Sequence, residues 1–190
     1  LPSQLTHASN HSYTWLNRNH EPVELPAREY MSLMQRWISS KIDDDKLFPT
    51  DPSGVSYAHQ PDASNGAAPP ASNGNDSWLG HRSGFPQQFG GTCQLIFRQI
   101  FRVYAHMYWA HYVDPFYHLN LEKELNSCFS HFIVTAMTLN MLTQDDIEPM
   151  KELIDMWAAD GTFPPDSRAY KNANVERGKS ILALTLPTAI

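Results

Sequence analysis

The chain has 190 residues, 42% of them hydrophobic, with five Trp, eight Tyr and nine Phe, which excludes a wholly disordered polymer and supports one folded core. Fourteen basic against twenty acidic residues leave a formal net charge of −6, and no Lys/Arg cluster offers the basic patch that nucleic acid requires. No apolar run reaches the ~20 residues that span a bilayer, so a membrane is excluded with nucleic acid, and an acidic surface suits a basic peptide or protein partner.

The chain opens on Leu1 with no signal peptide, and an N-terminally incomplete, cytoplasmic product is expected. Tyr13–Leu16 and Val23–Leu25 flank the polar Asn17–His20 and predict a small hairpin. Pro26 opens a helix, where its missing N–H costs nothing. Along that helix Tyr30, Leu33, Met34, Trp37, Ile38 and Lys41 form one stripe, ended by Asp43–Asp45 and LFP. Residues 51–91 are dense in Pro, Gly, Ser and Asn without periodicity, which predicts a long flexible insertion.

A helix over about Thr92–Val113 carries Cys93, Ile96, Phe97, Ile100, Val103, Tyr104, Met107 and Tyr108 at helical spacing, and Asp114-Pro115 stops it. Leu121, Leu125, Cys128, Phe129, Phe132, Ile133 and Ala136 mark another over about Leu121–Met141. A short turn at Gln144–Ile147 precedes a helix with Met150, Leu153, Ile154 and Trp157, and residues beyond Gly161 read as a tail. The expected fold is therefore all-α: a helical bundle over residues 1–160 with a small β-hairpin near the N-terminus, and a C-terminal tail over 161–190. Cys93 and Cys128, each among apolar residues, are expected as buried free thiols of a reduced compartment.

Chemistry concentrates in RQIFRVYAHMYWAHY, from Arg98 to Tyr112. Arg98 and Arg102 are one turn apart, about 40° round the axis, and share a face off the apolar stripe. Two neighbouring guanidinium groups fit a phosphate or paired carboxylates, and equally fit a solvated face bonded to Glu122 or Asp114. His106 and His111 are five apart, so on an ideal α-helix their side chains diverge by about 140°. Sharing a metal then needs a bend or a third element, and zinc needs two further ligands, for which His7 and His11 are the upstream candidates. One buried and one surface histidine is the alternative. Cys128 and His131 have no third group to orient a base, and no phosphate loop or nucleophile elbow is present, so an enzyme is not expected.

The segments LPAREYMSLMQRWISSKIDDDKLFP, FPQQF, IFRQIFRVYAHMYWAHY and ELNSCFSHFIV, in that order, resemble the Mob/phocein family over most of Tyr13–Trp157. The resemblance implies a non-catalytic, all-α adaptor. Such a protein binds the N-terminal regulatory segment of NDR/LATS-type kinases in mitotic-exit, morphogenesis and Hippo-type signalling. The family's structural zinc uses a C-x4-C pair and an H-x4-H pair. His106 and His111 match the latter, and the cysteine pair would precede the YTW strand, where this chain lacks it. Its phosphopeptide pocket has three basic residues, at the positions of Arg98, Gln99 and Arg102 here, the middle one replaced by Gln. Two alternatives are a phocein-like subunit of a striatin-organised phosphatase–kinase assembly and, from another class, a zinc-dependent hydrolase.

Overall fold

The computed structural model of the chain describes residues 12–17, 19–50, 85, 86 and 88–185. It is all-α apart from one two-stranded hairpin, as the patterning predicts, and forms two compact units, His11–Ile96 and Phe97 onward. No helix among the described residues is long and apolar enough to cross a membrane.

In the first unit, β1 (Ser12–Leu16) and β2 (Pro22–Pro26) pair antiparallel with Tyr13 opposite Leu25 and Trp15 opposite Val23. Asn17 makes the turn: its side-chain oxygen accepts the Asn19 and Glu21 amides at 2.8 and 3.0 Å, a local bond that Asn favours over regular structure. Pro26 is the N-cap of α1 (Ala27–Ile42), one position before the helix interior. Tyr30 and Met34 are buried on the predicted stripe, and Tyr13 and Trp15 of the hairpin rest on the Tyr30 ring at 5.2 and 5.6 Å. Residues 51–84 of the expected insertion lie outside the described residues. Its far end is earlier than the sequence suggests, because α2 begins at Phe89, where Phe85 stacks on the ring, Phe48 meets it edge-on, and both add apolar surface to the first turn.

The second unit is organised around α3 (Glu122–Thr138), whose Leu125, Phe129, Ile133, Ala136 and Met137 are buried. Phe129 is its centre, fully covered and ringed by Phe101, Tyr104, Tyr108 and Trp157 at 4.8–6.0 Å. Burying a side chain of this size stabilises by up to ~3 kcal/mol before the ring contacts add theirs. Phe101, which the predicted stripe of α2 omits, is the most deeply buried apolar side chain of that helix. α4 (Gln144–Ile147) opens on a capping box formed by Thr143 and Asp146. A 3₁₀ turn carrying Pro149 leads into α5 (Lys151–Ala159), so the proline sits in a first turn where its lost N–H does no harm.

The expected C-terminal tail is corrected by the structure. Gly161, at φ +86°, ends α5 in the left-handed region that glycine tolerates, and the chain turns back to form α6 (Arg168–Asn172) and α7 (Val175–Thr185). Two features hold α7 on α5. Asp155, 1% exposed, accepts the Asn174 amide at 2.8 Å and the Arg177 Nε at 2.6 Å. Gly178 lies so close to the Asp155 carbonyl that no larger residue fits. Phe163, 1% exposed, plugs the same end against Trp157. The segment is too short and polar to show periodicity; tertiary contacts fold it.

Candidate functional site

The helix α2 (Phe89–His106) carries the residues singled out by sequence, and the aromatic layer on α3 fixes its orientation. Tyr104 and Tyr108 pack on Phe129, and the Tyr108 hydroxyl donates to Asn126 Oδ1 at 2.6 Å. Burial, reinforced by neighbouring Tyr112, Tyr104 and Cys128, pushes the Tyr108 phenol well above its ordinary range, so it stays a neutral donor.

With α2 braced, Arg102 is exposed and Gln99 half-buried. The Arg98 side chain keeps 41% of its surface exposed, yet its Nε is buried and meets no hydrogen-bond acceptor among the described residues. Its ion pair is with Asp146, not with the Glu122 or Asp114 expected of a solvated face. The Asp146 Oδ1 stands 3.9 Å from Nε, an attraction without a hydrogen bond. Sequence reasoning missed Asp146 here. The T-x-x-D pattern at Thr143 marks it as a cap, but nothing along the chain tells which cation it faces.

The histidines are brought together by a departure from α geometry. From Met107 the helix widens into a π-helical run, Met107–Tyr117, kinked where Asp114 leaves helical space at φ −125°, ψ 111° ahead of Pro115. A π-turn bonds i to i+5, so residues five apart lie over one another, and the 140° divergence expected of an α-helix does not arise. The His106 and His111 rings meet edge to face at 4.9 Å, the first buried and the second half-buried. The pair therefore fits as two ligands on one element. Closed tetrahedral zinc needs four. Among the described residues no third His, Cys, Asp or Glu joins them, and His7 and His11 lie outside those residues.

The thiols differ from expectation. Cys128 is exposed and Cys93 half-buried, both free, because α3 turns its 128 position outward while Phe129 takes the core. Burial raises the Cys93 thiol further above neutrality, the opposite of an activated nucleophile.

A family model described as the Mob1/phocein family matches residues 3–63 and 71–150. The chain belongs to the Mob1/phocein family. Relatives of this Mob chain include the "Maintenance of ploidy protein mob2" of Schizosaccharomyces pombe, 35% identical over 77% of this chain and 48% of that protein. The "CBK1 kinase activator protein MOB2" of Saccharomyces cerevisiae is 34% identical over 78% of this chain and 42% of its own length. The Arabidopsis thaliana "MOB kinase activator-like 1A" is 28% identical over 80% and 57%. The Mob chain thus spans about half the length of these relatives. Its hairpin, α1, α2, α3 and α4 fall within the matched residues, whereas α6 and α7 lie beyond them.

Proposed function

We propose that this chain is a non-catalytic adaptor that co-activates an NDR/LATS-type protein kinase by binding its N-terminal regulatory segment, and that Arg98 and Arg102 hold a phosphothreonine of a peptide partner. Family membership and the relatives named as kinase activators support the first part. The observation that carries the second is Arg98 itself. It is a half-exposed guanidinium with a buried, acceptor-less Nε, one turn from exposed Arg102 on a helix that the core holds still. Phosphothreonine brings close to two negative charges and three acceptor oxygens to such a pair. Gln99, half-buried on the same helix, stands where a third cation would raise affinity further.

His106 and His111 act in this reading as two ligands of a structural zinc, completed by donors outside the described residues. Zinc held there would pin a neighbouring segment to the widened end of α2, and its contribution is to stability.

The test is titration of a phosphothreonine peptide and its unphosphorylated twin by calorimetry. The parent should bind only the phosphorylated form. Since a hydrogen bond to a charged group contributes ~1.5–3 kcal/mol, Arg98→Ala with Arg102→Ala should lower affinity more than ~10-fold with little change in melting temperature. Equal binding of both peptides would refute the phosphate reading. The adaptor reading is checked separately, by whether the chain co-purifies with an NDR-type regulatory segment.

A further inference from the structure

Asp146 occupies a place for which the proposed clamp has no need. Its Oδ2 accepts the Thr143 amide and the Thr143 hydroxyl, both at 2.8 Å, while its own N–H donates to Thr143 Oγ1 at 3.2 Å. Those bonds fix the carboxylate in one orientation. The other oxygen, Oδ1, is held 3.9 Å from Arg98 Nε, too far to hydrogen-bond. A carboxylate serving only as the cap of α4 need not face a cation. One serving only as the partner of Arg98 would close to ordinary salt-bridge distance. The capping box keeps Asp146 from swinging away.

We infer that Asp146 is an affinity-limiting residue of the Arg98–Arg102 clamp: a carboxylate pinned by Thr143 that offsets part of the Arg98 charge and stays in place when a phosphate arrives. This rests on the reading of Arg98 and Arg102 as the phosphate-binding pair. The side chain of Arg98 is open on 41% of its surface, so a ligand reaches it from the solvent side while the fixed anion remains beside Nε. Every incoming phosphoryl oxygen is then attracted by two guanidinium groups and repelled by one carboxylate. The clamp is thereby held weak, and a phosphorylated segment is retained only when other parts of it also contact the adaptor.

The experiment uses the full chain and a phosphothreonine peptide with uncharged flanks, with its unphosphorylated twin as control. Asp146→Asn keeps an oxygen for the Thr143 bonds and removes the charge. It should tighten phosphopeptide binding about two- to fivefold at low salt, the range of a partly exposed ion pair. That gain should shrink at about 0.5 M salt, which screens a charge effect and leaves a packing effect untouched. Asp146→Ser is a second neutral variant should Asn perturb the cap. Asp145→Asn removes the same unit of charge from the neighbouring exposed position and should give less than half the gain. Unchanged or weaker binding by both neutral variants overturns the inference, as does an equal gain from Asp145→Asn. Phosphate-independent binding by the parent overturns the clamp itself, a distinct result.

Discussion

Replacing Gly178 by Ala separates two opposite expectations. On a free helix the change stabilises, by ~1 kcal/mol, because Ala loses less backbone freedom. Here the added Cβ would lie 2.6 Å from the Asp155 carbonyl carbon, 2.8 Å from the Ala159 Cβ and closer still to the Asp155 oxygen. Two of these are backbone atoms of α5 and cannot turn aside, so α7 must retreat by ~1 Å to reach ordinary contact, an overpacking cost of ~1–3 kcal/mol. The retreat also stretches the 2.8 and 2.6 Å bonds that Asn174 and Arg177 make to the buried Asp155, each contributing ~1.5–3 kcal/mol to a charged acceptor. If half of that pair is lost, the sum less the helix-propensity gain is a net destabilisation of ~3 kcal/mol. For a chain of this size it lowers the melting temperature by ~6–12 °C. Urea unfolding followed by circular dichroism measures it. A variant as stable as the parent, or more so, would mean that α7 does not dock on α5 as described.

Two further predictions concern the helix that carries the candidate site. The folded Tyr108 phenol ionises above its ordinary 10.0, so between that pH and the higher folded value the folded chain retains a proton that the unfolded chain has lost, and stability falls as pH rises beyond 10. Melting profiles between pH 9 and 11 should therefore slope more steeply for the parent than for Tyr108→Phe, and parallel slopes would contradict the burial of that hydroxyl. Chelation by EDTA should lower the melting temperature of the parent and leave His111→Ala unmoved, read by calorimetry with elemental zinc analysis; no shift in either would remove the zinc reading.

Most of the fold was legible because its helices are amphipathic at one period. Tyr30 and Met34 on α1, and Leu125, Phe129 and Ile133 on α3, recur where a core-facing stripe must, and Thr143 announces α4 through its cap. Phe129 is covered by rings from α2 and α5, and Ile133 is as deeply buried beside it on α3. What could not be read has a common cause: it depends on contacts remote in sequence. Asp155 looks like a surface acid until Asn174 and Arg177 reach it, and Asp146 looks like a cap until Arg98 is seen beside it. Arg98, Gln99 and Arg102 could be named from the resemblance, and the histidines from their identity. Their spatial relation could not, since MYWAHYV is apolar all round and shows no sign of which turn width it adopts.

The widened turn from Met107 to Val113 makes chain length a form of information. It behaves as an α-helix holding one surplus residue, and excising any single residue from it would restore the narrower spiral. Excising one that lies between the imidazoles would leave them four apart, about 40° round an α-helix, so that they would still share a face. In homologues of this chain, four residues between the two histidines therefore call for the widened turn, whereas three would let an ordinary α-helix bring them together.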